Sequence, residues 1–208
     1  SEIYGKDSVG SLGEESDLLL GPPNKARWAC ANAKTFGEML AYGYHRECNA
    51  QMTVVRLFNT VGPRQTGKYG MVVPRFAEQA LREEDVTVFG DGMQSRCFAH
   101  VADAVDAIVR LSDDDRSAGE AFNIGSSYEL SILELAERII ERAESTSQIR
   151  FVPFDDAYDE GFEELGRRQP DTTALSELTG WRAQRTIEDA IDDVLAFQRT
   201  QIRTEIPA

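Results

Sequence analysis

The chain has 208 residues, of which 41% are hydrophobic and 28% charged, with a net charge of −14. That length suits one large domain or two small ones with a real core, and no apolar run approaches the roughly 18 residues of a bilayer span. A nucleic-acid binder is excluded, because a phosphate backbone would be repelled and no basic stripe offsets the charge.

A polar opening over residues 10–23 is rich in glycine and bounded by proline. Trp28, Phe36, Met39, Leu40 and Tyr44 then recur at helical spacing and predict a long amphipathic helix over 27–47. Residues 52–58 (MTVVRLF) predict a buried strand, short and β-branched, that ends at Asn59 and the breakers Gly62 and Pro63. A helix over 74–82 follows, and then a strand over 86–89 that turns at Gly90-Asp91-Gly92. Further on, the pattern predicts a helix over 101–111, a strand over 121–124 and a helix over 131–143. That last helix opens with Ser131 and Glu134 at capping-box spacing. A strand over 149–152, an acidic loop over 155–164, a short helix over 172–178 and a terminal helix over 186–200 complete the chain. Strands alternating with helices predict an α/β fold with a largely parallel sheet.

Cys30, Cys48 and Cys97 are odd in number, lack C-x-x-C spacing, and have only His45 and His100 to accompany them. Neither a zinc site nor a disulfide framework is expected. The opening SEIYGKDS has no basic-then-apolar leader, so the expected location is cytoplasmic.

The segment from Gly62 to Gly67-Lys68-Tyr69 matches the phosphate-cradling G-x-x-x-x-G-K up to its final Ser or Thr. Tyr69 cannot supply the hydroxyl that holds Mg²⁺, and Pro63 removes a backbone N–H from the cradle, so the glycines are expected to serve turning. No G-x-G-x-x-G or G-x-x-G-x-x-G occurs, and spacing alone indicates no cofactor site.

Six segments in order carry more information. They are Ser1-Glu2-Ile3-Tyr4-Gly5, then Arg27 to Lys34 (RWACANAK), then Arg56 to Arg64 (RLFNTVGPR), then Gly90 to Asp103 (GDGMQSRCFAHVAD). Phe122-Asn-Ile-Gly125 follows, and then Arg168-Gln-Pro-Asp171 with Thr179-Gly-Trp181. Together they resemble the extended short-chain dehydrogenase/reductase family, specifically its NAD-dependent nucleotide-sugar epimerases, dehydratases and UDP-glucuronate decarboxylases.

The resemblance implies a partial doubly wound (Rossmann) parallel sheet over residues 1–66 and 96–126. A smaller α/β nucleotide-sugar domain would take 67–95 and 127–208. It implies NAD as cofactor, no metal, a nucleotide-diphosphate sugar as substrate and transient oxidation at the sugar's C4. Lys34 matches the lysine of the family's Y-x-x-x-K, which bonds the nicotinamide ribose and lowers the tyrosine's pKa. Ser1 and Glu2 match a pair placed beside the sugar, and Asn59 the asparagine that anchors the diphosphate. Arg96 and Arg168 match arginines that clamp the same phosphates, for which a planar donor fork is suited. The plain alternatives are exposed arginines and a turn asparagine.

Two departures qualify this. Cys30 stands at the tyrosine position, four residues before Lys34 on the same helical face. A thiol lacks the phenol ring that reaches the sugar, and a cysteine here is otherwise expected to be a small buried residue. The chain also begins inside the implied Rossmann domain, past its glycine-rich turn. The expectations are a sheet edge needing cover from a homo-oligomer, a completing N-terminal chain or an upstream half, and little or no activity for this chain alone. The rival expectation is a non-catalytic nucleotide-sugar-binding or assembly subunit.

Lys6, Lys25, Lys34 and Lys68 are the only lysines among 22 basic residues, against 36 acidic ones. This fits either a salt-adapted surface, hydrated by carboxylates, or GC-rich codon usage. Melting curves in increasing KCl separate them: salt adaptation predicts a midpoint that rises into the molar range, and codon usage an indifferent one.

Overall fold

A computed structural model describes residues 1–6, 10–25, 27–68, 70–157 and 167–205. A 3-10 turn at Glu2–Tyr4 leads through a strap over residues 10–25 to α1 (Arg27–Cys48). Then come β1 (Val54–Leu57), β2 (Thr60–Val61), α2 (Val72–Leu81), β3 (Val86–Phe89), β4 (Ser95–Cys97), β5 (Ala99–His100) and α3 (Val101–Ser112). After a 3-10 turn at Asp115–Ser117 the chain forms β6 (Ala121–Ile124), β7 (Glu129–Ser131), α4 (Ile132–Ala143) and β8 (Ile149–Val152). The short α5 (Phe154–Ala157), α6 (Thr173–Thr179) and α7 (Ile187–Glu205) follow. Most of the acidic loop expected over 155–164 lies outside the described residues.

Local chemistry explains the clearest elements. Ser131 Oγ accepts from the Glu134 N–H at 3.1 Å while the Glu134 carboxylate accepts from the Ser131 N–H at 2.8 Å. The capping box read from the sequence therefore satisfies two donors that a helix start leaves open. Helix α4 continues with Leu135, Ala136 and Ile139 fully buried.

The fold is α/β, as expected, with a difference in the sheet. β1 pairs with β6, β2 with β5 and β3 with β8, all parallel, but β4 and β7 pair antiparallel, and each pairing is two-stranded. Strands of two or three residues are too short to show alternation, so β2, β4, β5 and β7 leave no periodic mark. Val55 and Leu57, two apart and so on one face of β1, are 37% and 39% exposed.

The largest apolar cluster packs α2, α4 and α7 around β3, with Phe76, Val88, Leu135, Ile139, Ile191 and Leu195 at its centre. Ion pairs from Arg138 to Glu188 and from Arg142 to Asp192 brace α4 against α7. A second cluster joins α3, β6 and α6 through Phe122, Ile124, Leu175 and Trp181. A third holds the N-terminal turn, with Ile3, Tyr4, Leu12 and Phe58.

One expectation needs correction. On α1 only Trp28 and Ala31 are buried, while Phe36, Met39, Leu40 and Tyr44 stay exposed. Helical periodicity shows which residues share a face but not whether anything covers it. Gly62 serves turning as expected: its carbonyl accepts from the Gln65 N–H at 3.4 Å across Pro63 and Arg64, and Arg64 takes the positive φ of 68°. A Cβ on Gly62 would lie 2.4 Å from Val101 Cγ1, so this glycine permits close approach of the loop to α3. Tyr69 is not among the described residues.

Asp103 fastens the C-terminal segment. Its buried carboxylate accepts from the backbone N–H groups of Gln184 (3.0 Å) and Arg185 (2.8 Å) and from Arg185 Nη1 (2.5 Å). Its own carbonyl accepts from Trp181 Nε1 at 3.0 Å. Asp103→Ala strands these donors and is expected to destabilise the fold by about 2–4 kcal/mol in urea unfolding. Asp103→Asn should cost less, because its amide still offers one acceptor.

Candidate functional site

The site forms where the first residues of the chain meet the segment before α6. The Leu12 N–H donates to the Gln169 carbonyl at 2.8 Å, and the Asp171 N–H returns a bond to the Leu12 carbonyl at 2.9 Å. This clamp holds Arg168 against the N-terminal turn, where its Nη1 donates to Glu2 Oε1 at 2.6 Å. Arg168 is only 4% exposed, and its Nε has no hydrogen-bond partner among the described residues. Arg27 Nη2, at the start of α1, lies 3.9 Å from the other Glu2 oxygen.

The charges respond to each other. Burial pushes the Glu2 carboxyl up, but the charge and hydrogen bond of Arg168, followed by the charge of Arg27, outweigh it and hold the group below its ordinary value. Burial lowers the pKa of Arg168; Glu2 opposes this, while Arg27 and Arg96 add repulsion in the same direction as burial.

Arg96 also lines a cavity of about 150 Å³ with Asn59, Arg75, Phe89, Phe98 and Phe154. Arg75 lies over the Phe89 ring, 4.1 Å from its centroid, and donates to the Thr87 carbonyl at 3.0 Å. Asn59 donates from Nδ2 to the Cys97 carbonyl at 2.9 Å and holds a φ of 24°, a conformation few non-glycine residues adopt. The cavity thus has aromatic walls and guanidinium groups beside them. This lining suits a planar apolar ring joined to an anion.

The structure brings Ser1, Glu2 and Arg168 together and places Asn59 and Arg96 in the cavity with aromatic walls. Arg168 is not an ordinary surface arginine: it is buried and committed to Glu2. Cys30 and Lys34 are both exposed on α1, and neither makes a hydrogen bond or ion pair among the described residues. Cys30 is therefore not the small buried residue expected from its type. Cys97 is buried instead, and burial, with the Glu129 carboxylate, pushes its thiol up to about 12.

Arg75 is a member that the sequence pattern does not single out, and Arg27, which opens the segment Arg27 to Lys34, has no role assigned there. Arg27 stands seven residues before Lys34, two helical turns away.

Residues 1–125 match the family model described as the NAD dependent epimerase/dehydratase family, and the chain belongs to that family. Among curated relatives it is 40% identical over 200 residues to the UDP-N-acetyl-alpha-D-glucosaminuronate decarboxylase of Bacillus cytotoxicus, covering 96% of this chain and 61% of the relative. It is 34% identical over 191 residues to UDP-glucuronic acid decarboxylase 4 of Arabidopsis thaliana, covering 87% and 39%. Among solved structures, the UDP-glucuronic acid 4-epimerase of Bacillus cereus, in complex with UDP-glucuronic acid and NAD, superimposes with a TM-score of 0.81. It shares 24% identity, with coverage of 97% of this chain and 60% of that one. The chain thus spans less than two thirds of the length of these proteins.

The ion pair at Glu2 predicts a pH dependence. Its folded pKa lies below the ordinary carboxylate value of 4.5, so its contribution is fully present above that value and is lost as pH falls through the depressed folded value. Unfolding in denaturant across a pH series should therefore show a steeper acid loss for the parent chain than for Glu2→Gln. Identical slopes would refute the pair's role.

Proposed function

We propose that this chain is the nucleotide-sugar-binding part of a NAD-dependent enzyme that acts on a UDP-linked uronic acid. The observations that carry this are the carboxylate of Glu2 set between Arg168 and Arg27 and the aromatic-walled cavity lined by Asn59 and Arg96. The names of the relatives, decarboxylases of nucleotide-linked uronic acids, support the substrate class.

In this reading Phe89, Phe98 and Phe154 receive the base, and Asn59 and Arg96 hold the diphosphate. The sugar lies toward Ser1, Glu2 and Arg168. Residues 1–66 and 96–126 serve as the Rossmann part, and 67–95 with 127–208 as the nucleotide-sugar part. The guanidinium groups neutralise the diphosphate through charge-assisted bonds, and the aromatic walls exclude water from the base.

NAD, when bound, supplies reversible hydride acceptance from the sugar. Lys34 suits its ribose end, but no G-x-G-x-x-G or G-x-x-G-x-x-G turn exists in these 208 residues to cradle its pyrophosphate. The chain fits one end of the cofactor only, and the roles of its residues stop at binding and orienting the nucleotide sugar. Cys30 points the same way, since a thiol at this position carries no hydroxyl out to the sugar. It favours, as the second reading, a binding or assembly subunit without turnover of its own.

Calorimetry with UDP tests the site. The parent chain should bind, and Arg96→Ala should weaken binding roughly tenfold or more, the worth of one charge-assisted bond. An absence of binding heat would sink the reading. Incubation with UDP-glucuronate and NAD should give little or no product, and turnover at ordinary enzymatic rates would show that Cys30 does not disable the site.

A further inference from the structure

A second cavity, of about 540 Å³, lies at the carboxyl end of β6, bounded by the loop that leaves this strand, the first turn of α6 and the segment that leads to α7. Its volume is in the range of small-molecule sites, and it shares no lining residue with the aromatic-walled cavity. β6 runs parallel to β1, and sheets of this kind take ligands outside the carboxyl ends of their strands. The walls are anchored from behind. Gln169 Nε2 donates to the Ser127 carbonyl at 3.3 Å, the Trp181 N–H donates to Thr179 Oγ1 at 3.2 Å, and Asp103 accepts from the Gln184 and Arg185 N–H groups. Arg182 stands between these last anchors, so its backbone is fixed while its side chain is exposed.

The lining is rich in donors that the protein itself does not use. The hydroxyls of Ser127, Thr172 and Ser176 and the guanidinium of Arg182 make no hydrogen bond or ion pair among the described residues. Arg185 donates Nη1 to Asp103 at 2.5 Å, which balances its charge. Glu177 lines the same cavity without pairing to Arg182. Hydroxyls from separate segments around one guanidinium suit an anion with several oxygens about one centre. A carboxylate offers two oxygens in a plane, whereas a phosphate monoester offers three strong acceptors arranged in a tetrahedron, able to meet donors from all three segments at once. The cavity is larger than a phosphate group, and the Glu177 carboxylate, which only accepts, suits hydroxyl groups on the remainder of a ligand.

We propose that this cavity is a second binding site, for the phosphate monoester of a small hydroxylated molecule. Arg182 and the hydroxyls of Ser127, Thr172 and Ser176 hold the phosphate, and Glu177 accepts from hydroxyl groups of the ligand. The site stands apart from the nucleotide-sugar reading above and does not depend on it.

The test is calorimetry with glucose 6-phosphate, glucose and inorganic phosphate on the parent chain, Arg182→Gln, Arg182→Lys and Ser176→Ala, all in excess UDP to occupy diphosphate-binding groups elsewhere. The parent should bind glucose 6-phosphate, and Arg182→Gln should weaken that binding about tenfold or more, the loss of one charge-assisted interaction. Arg182→Lys should retain part of it, since a point charge remains without the fork. Glucose should bind at least about tenfold more weakly than its phosphate, and inorganic phosphate more weakly than the ester. Because the Arg182 side chain has no partner among the described residues, Arg182→Gln should keep the urea midpoint of the parent. If that midpoint falls, Ser176→Ala decides, with binding about threefold weaker, the worth of one neutral hydrogen bond, at an unchanged midpoint. No binding by the parent, an affinity unchanged in Arg182→Gln, or glucose bound as tightly as its phosphate would overturn the proposal. Inorganic phosphate bound as tightly as the ester would also overturn it and leave an adventitious anion site only. The outcome is read from the dependence on Arg182, whether or not UDP binds, so it can fail while the nucleotide-sugar reading stands.

Discussion

The buried guanidinium of Arg56 is the interaction on which the N-terminal side of the molecule depends. It is 8% exposed, and taking such a charge out of water costs several kcal/mol unless its donors are satisfied. Nε and Nη2 bond both oxygens of Glu38 on α1 at 3.0 and 2.7 Å, while Nη1 bonds the Tyr4 hydroxyl at 2.9 Å and the Glu14 carbonyl at 2.8 Å. The Tyr4 hydroxyl passes its own hydrogen to Asn123 Oδ1 at 2.6 Å, and Asn123 Nδ2 donates to the carbonyls of Leu12 and Asp171. Burial raises the pKa of Tyr4, with Arg56 opposing, so the phenol keeps its proton and its donor role. Strand β1, strand β6, helix α1, the N-terminal turn, the strap and the segment before α6 all meet at one cation.

The functional cluster follows from this arrangement. Glu2 lies two residues before Tyr4, and Arg168 three before Asp171, so the network that orders Tyr4 and Asp171 also sets the distance between the acid and the base of the ion pair. Within a chain of net charge −14, the cavity that holds Arg75 and Arg96 is a local exception that favours an anion.

Much of this is legible in the order of the amino acids. The capping box of α4, strands β3, β6 and β8, and the breakers after β1 depend on neighbours within a few residues, and local chemistry decides them. The six ordered segments point to the family and to Glu2, Asn59, Arg96 and Arg168. The apolar stripe of α1 misleads, since Phe36, Met39, Leu40 and Tyr44 share a face that this chain leaves in solvent. The antiparallel β4–β7 pair, only three residues long, is too short to leave a pattern.

The sequence by itself therefore determined the element types, the α/β class and which residues had chemistry to offer, because these rest on local propensity, periodicity and motif order. The tertiary structure alone decided that Arg168 is buried on Glu2, 166 positions away, that Arg27 lies 3.9 Å from the other oxygen of the same carboxylate, and that Cys30 is exposed. Accessibility and charge pairing arise from contacts between distant segments, and no spacing along the chain encodes them.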